Sequence, residues 1–90
     1  MRILLTGAFA YTKEQIAQIE SLGVDVVLMQ QEVDTLPVKA GDVDATVCNG
    51  LFLHHKIEDF ENLKYIQLTS AGLDRVPLEE IKRRGITINN

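Results

Sequence analysis

Residues 65–89 read Tyr-Ile-Gln-Leu-Thr-Ser-Ala-Gly-Leu-Asp-Arg-Val-Pro-Leu-Glu-Glu-Ile-Lys-Arg-Arg-Gly-Ile-Thr-Ile-Asn, a β-rich run, a turn of small residues, a helix and a second β-rich run. Pro77 suits the first turn of the helix, where a missing N–H costs nothing. Glu79 and Glu80 stand near its positive end, and Lys82, Arg83 and Arg84 near its negative end. Glu79/Arg83 and Glu80/Arg84 are also i,i+4 pairs in the favourable order. Gly85 occupies the position where helices stop in a left-handed conformation. Two strands joined by a crossover helix must run parallel, with a right-handed connection.

Working outward, β-rich runs recur about every 20 residues: Arg2–Thr6, Val24–Met29, Ala45–Cys48, Tyr65–Thr69 and Ile86–Asn89. Ile3-Leu4-Leu5, Val26-Val27-Leu28 and the Ile66/Leu68 run lack strict alternation or carry apolar groups on both faces, as strands covered on both sides do. Thr12 and Gln15 form a capping box, Ile16, Ile19 and Leu22 make a helical stripe, and Gly23 ends it. Ile57, Phe60 and Leu63 mark a shorter helix. Gln30–Asp44, with Pro37 and Gly41, is read as a loop with at most one helical turn. The leucine spacing from Leu63 to Val76 is not repeated elsewhere, which argues against a leucine-rich array. The fold class expected over 1–90 is therefore α/β, a single domain with a flavodoxin-like five-stranded parallel sheet of order 2-1-3-4-5. Its strand carboxyl ends would gather three loops, Gly7–Tyr11, Asn49–Leu53 and Ser70–Asp74, on one edge.

The 90 residues are 46% hydrophobic and 24% charged, a globular composition. Nine Lys and Arg against 13 Asp and Glu give a charge of −4, a poor match to a phosphate backbone. Acids concentrate in residues 14–61, where only Lys39 and Lys56 oppose them; they read as solvated faces. One cysteine fits a reducing compartment. The N-terminal apolar run is too short for a signal peptide or membrane span, so a cytoplasmic location is expected.

The candidate chemistry is sparse. No G-x-G-x-x-G or phosphate-binding G-x-x-x-x-G-K pattern occurs, so this chain should not bind a dinucleotide by itself. Phe9 and Tyr11 intrude on the turn where a flavodoxin would hold a flavin phosphate. A receiver-type phosphorylation module lacks its acidic pair after the first strand. His54 and His55 are adjacent and point to different faces, so they read as a solvated pair and no metal site is expected. Cys48 reads as a buried hydrophobe rather than a nucleophile. Two turns remain, Cys48-Asn49-Gly50 and Thr69-Ser70-Ala71-Gly72. Tight-turn chemistry is their plainer reading. The sharper one is that their small residues open main-chain N–H groups toward a small carboxylate.

Asn62–Ile81, followed by Arg84-Gly85-Ile86-Thr87-Ile88-Asn89-Asn90, resembles the N-terminal part of the D-isomer-specific 2-hydroxyacid dehydrogenases, phosphoglycerate dehydrogenase-like enzymes. The signature is a hydrophobic strand, small-small-Gly-x-Asp, a helix and an Arg-Gly-Ile strand. Val47-Cys48-Asn49-Gly50 sits where the family places its preceding substrate loop. The resemblance implies a flavodoxin-like substrate-binding domain. The amides of Ala71 and Gly72 would hold the substrate carboxylate, Asn49 and Gly50 would form the facing wall, and Ser70 would shape the turn. Phe9, Leu51 and Leu73 would shape specificity. It also implies that the NAD or NADP site and the catalytic Arg, Glu and His belong to a Rossmann domain beyond residue 90. On that reading the chain is a fragment with no cofactor and no catalytic residue of its own, inactive alone. Helical cover on one sheet face would be incomplete, leaving apolar side chains of the last three strands bare and favouring a homodimer through that face. The alternative is a self-sufficient flavodoxin-like module for flavin binding or protein interaction.

Overall fold

The computed structural model describes residues 1–7, 10–69, 73 and 75–90. Strands β1 (Arg2–Thr6), β2 (Asp25–Met29), β3 (Ala45–Cys48), β4 (Tyr65–Leu68) and β5 (Thr87–Asn89) form one sheet in the order β2-β1-β3-β4-β5. Every pairing between them is parallel. The topology expected from the sequence is the one observed.

The connecting helices are α1 (Lys13–Glu20), α2 (Leu51–His54) and α3 (Leu78–Arg84). Thr12 caps α1 through the expected box: Gln15 N–H donates to its hydroxyl at 3.1 Å, and its own N–H donates to Gln15 Oε1 at 2.9 Å. Pro77 precedes α3 as its cap instead of opening the helix. Gly85 closes α3 at φ +69°, a left-handed conformation that a side chain would strain. Glu80 pairs with Arg83, not Arg84. Arg84 is drawn away, because its guanidinium donates to the carbonyls of Ile57 and Phe60 at 3.0 and 2.6 Å. Those carbonyls belong to a 3₁₀ turn at Ile57–Asp59 and its cap, which replace the short α-helix expected there. A second 3₁₀ turn, Ala40–Asp42, is the single turn allowed in the long loop. Helix α2 leaves no mark in the sequence pattern, since four residues carry too little periodicity to be seen.

The register aligns Leu4 with Val27, Thr46, Ile66 and Ile88 on one face. Leu4, Met29, Cys48, Ile66 and Leu68 meet Val43, Leu51, Ile57, Phe60, Leu63 and Ile81 there in the core. Phe52 packs edge-on against Phe60, with ring centroids 5.4 Å apart. Thr46, fully buried, satisfies its hydroxyl on the Leu4 carbonyl at 3.0 Å.

The opposite face is covered unevenly. Helix α1 lies over its β2 side, where Ile16 shares a hollow with Leu5 and Leu28. Over β3–β5 this face carries Ala45 and Val47, then Tyr65, Gln67, Thr87 and Asn89. The bare apolar face expected from the sequence is not what is found: Ala45 is buried, Val47, Tyr65 and Gln67 are half-buried, and only the polar Thr87 and Asn89 are exposed there. Asn89 Nδ2 donates to the Tyr65 hydroxyl at 2.8 Å, and that hydroxyl donates to Gln67 Oε1 at 3.2 Å. The period-2 alternation of Tyr-Ile-Gln-Leu is the reason: Ile66 and Leu68 face the core, so Tyr65 and Gln67 face outward.

Candidate functional site

Parallel strands bring all their carboxyl ends to one edge, and here that edge holds the tips of β1, β3 and β4. The tip of β1 is Thr6-Gly7. A Cβ on Gly7 would lie 1.8 Å from the Gln30 carbonyl oxygen, so the ends of β1 and β2 touch backbone to backbone. The tip of β3 is Asn49-Gly50, which leads directly into α2.

Between these tips lies a carboxylate from the chain itself. Glu32, in the connection after β2, accepts the Thr6 hydroxyl on Oε2 at 2.7 Å and the Asn49 N–H on the same oxygen at 2.8 Å. Its Oε1 accepts the Gly50 N–H at 2.8 Å. The Nε2–H of His55 donates to the Glu32 main-chain carbonyl at 2.8 Å and fixes the segment from its other side. The Asn49 side chain faces the other way: its Oδ1 accepts from Arg75 Nη1 at 3.1 Å, which ties the connection after β4 to the tip of β3. Thr6, Glu32, Asn49 and Arg75 thus link four segments along one edge.

Among the expected site residues, Asn49 and Gly50 stand together at the β3 tip, with their amides engaged by Glu32. Ser70, Ala71 and Gly72 lie outside the described residues, as does Phe9. Leu51 is fully buried in the core and does not line an open crevice, whereas Leu73 is exposed. Glu32 corrects the reading of all acids in 14–61 as solvated. Neither Glu32 nor Arg75 stands out in the sequence, because a lone acid in an irregular loop and a lone base after a turn carry no spacing signal. The small residues at Asn49-Gly50 are the only hint that donors there want an acceptor.

His54 is exposed while His55 is half-buried, so the adjacent pair does not share one environment. Among the described residues, no three His, Cys, Asp or Glu side chains are grouped to hold a metal. Cys48 is fully buried, and burial, with the nearby charge of Glu32, pushes its thiol up to about 12. A thiol so held is protonated at neutral pH and is no nucleophile. The Tyr11 hydroxyl is raised by burial and then by Cys48.

Of the first strand-to-helix turn, the described residues include Gly7, whose missing side chain leaves room for the Gln30 carbonyl, and Gln15, whose amide donates to Thr12.

A parallel sheet of this order, with its loops gathered at the carboxyl edge, is a flavodoxin-like α/β domain. The family model described as D-isomer specific 2-hydroxyacid dehydrogenase, catalytic domain, matches residues 3–90, and the chain belongs to that family. Among solved structures it is similar to the TT0316 protein from Thermus thermophilus, with a TM-score of 0.70 and 20% identity. That similarity covers 100% of this chain and 30% of the other, so the chain spans under a third of that protein's length. No curated protein matches the chain. Among the described residues, no helix is long and apolar enough to cross a membrane.

Proposed function

We propose that residues 1–90 are the substrate-side part of an NAD(P)-dependent oxidoreductase acting on small D-2-hydroxy acids and the matching 2-keto acids. The family match over nearly the whole chain carries this reading. The segment 70–72 after β4 would hold the substrate carboxylate on the amides of Ala71 and Gly72. Asn49 and Gly50 form the facing wall and Ser70 shapes the turn. Arg75, tied to Asn49, adds a positive charge to the same edge. The nicotinamide would supply hydride transfer, and residues 1–90 carry no G-x-G-x-x-G to seat it. The acid/base and cofactor-binding groups are therefore assigned to another part of the enzyme, in the cytoplasm, and residues 1–90 alone are inactive.

The test compares nicotinamide-linked turnover of a 2-keto acid by residues 1–90 with that of the chain extended through a downstream G-x-G-x-x-G segment. Turnover only in the longer chain supports the proposal; turnover by the 90 residues alone overturns it. The same reading assigns the open strip over β3–β5 to an interface between two copies. Its polar groups already satisfy one another and could be buried without being orphaned.

A further inference from the structure

Three features are not part of the expected substrate-binding residues: a hollow along the outer side of α1, the acid cluster around Arg2, and the Glu32 carboxylate behind the β3 tip. The first has nothing to say what covers it, and the second is a solvated ion-pair group. The third is different in kind. It gathers three donors from two strand tips onto one side chain, and the residue it holds carries a cation.

Each contact has a consequence. Thr6 is buried at the end of β1, so its hydroxyl is a fixed donor. The amides of Asn49 and Gly50 leave β3 as the chain turns into α2, and without an acceptor they would be unpaired at the entry to a four-residue helix. Glu32 accepts both, one on each oxygen, which fixes the peptide plane between them as well as its position. That plane determines where the Asn49 side chain leaves the backbone, and Asn49 Oδ1 is the acceptor for Arg75. A Cβ at Gly50 would meet Glu32 Oε1 at 3.6 Å and Leu53 Cδ1 at 3.4 Å, ordinary contacts, so the clamp acts through the Gly50 amide and not through the absence of a side chain.

We propose that Glu32 is the positioning residue of this edge: by clamping the main chain at Asn49 and Gly50 it sets the Asn49 carboxamide that carries Arg75, and so fixes a guanidinium in the connection after β4. The clamp also keeps the two β3-tip amides away from an incoming acid group, which leaves Arg75 as the charged donor of this edge to receive it. This second effect rests on the proposed reaction; the clamp does not.

Nitrogen-15 spectra of the chain and of its Glu32→Gln, Glu32→Ala and Asn49→Ala variants test the relay. Glu32→Ala should move the Asn49 and Gly50 amide protons upfield and speed their exchange about tenfold or more, as expected for loss of charge-assisted bonds. It should also move the Nε–H signal of Arg75, a residue Glu32 does not touch. Glu32→Gln keeps the shape and one acceptor oxygen, and should give the same changes at intermediate size. Asn49→Ala should move Arg75 while leaving the Gly50 amide in place. A merely structural role for Glu32 would change the melting temperature and leave the Arg75 signal where it is. An unmoved Arg75 signal in both Glu32 variants overturns the relay. Titration with pyruvate separates the two layers. Several-fold weaker binding in Glu32→Ala and Asn49→Ala supports the role of Arg75 toward a carboxylate. Unchanged binding in both variants overturns that role of Arg75, while the spectra still decide the clamp.

Discussion

At the scale of single residues, two positions are decided by what lies within a few ångströms of them. Gly7 cannot accept a side chain, because a Cβ would stand 1.8 Å from a main-chain oxygen of Gln30 and only backbone movement could make room. Gly7→Ala should therefore destabilise the chain by about 1–3 kcal/mol, measured by urea unfolding, with loss of the β1–β2 contact at that end. Cys48 offers a pH test. Its thiol is raised from 9.0 to about 12, mainly by burial, so the folded chain keeps a proton that the unfolded chain releases. The unfolded state binds fewer protons above pH 9, so stability is full below that pH. It should fall by about 1.4 kcal/mol per pH unit through the window toward 12. Urea midpoints measured across that range check the slope. Cys48→Ala should flatten it, and the thiol should react with a disulfide reagent only as the chain unfolds. Tyr11, raised in the same direction, contributes to the slope with the same sign.

At the scale of elements, the helices on the two sides of the sheet are held by different means. Helix α1 contributes no fully buried residue and depends on its capping box and on half-buried Ile16 and Ile19. Helix α3 buries Ile81 in the core and ends on Gly85, and its Arg84 ties it to the 3₁₀ turn at Ile57–Asp59. Arg84→Ala should cost about 1–2 kcal/mol, since two carbonyls lose a charged donor. Arg83→Ala, which breaks only an exposed pair with Glu80, should change thermal stability very little. A melting comparison of the two variants distinguishes them. Sequence spacing assigns both arginines to i,i+4 pairs within the helix. It cannot show that two carbonyls from a distant segment take Arg84 instead. The capping box of α1 is legible because both partners lie within four residues of each other. Helix α2 is not, because four residues are too short a run to show a helical period.

At the scale of the whole molecule, the sheet has one sealed face and one partly open face. The strip over β3–β5 combines half-buried Val47 with a hydrogen-bonded row of Tyr65, Gln67 and Asn89, of which Asn89 is exposed. Sedimentation velocity should show a reversible dimer as concentration rises; a monomer at high concentration that binds no hydrophobic dye would exclude that interface. The amino-acid order by itself determined the strands, their parallel sense and their order. Apolar runs, caps and crossover lengths are local properties, and a right-handed crossover leaves few ways to connect them. It also marked Asn49-Gly50, at the β3 tip, as a turn of small residues. Only the tertiary structure decided what the donors at the β3 tip meet. Glu32 lies 17 residues from Asn49 and reaches it because the irregular loop after β2 passes over the end of β1, where Thr6 donates to the same carboxylate, to the β3 tip. A contact of that kind depends on how the chain closes in space and leaves no periodic trace along it.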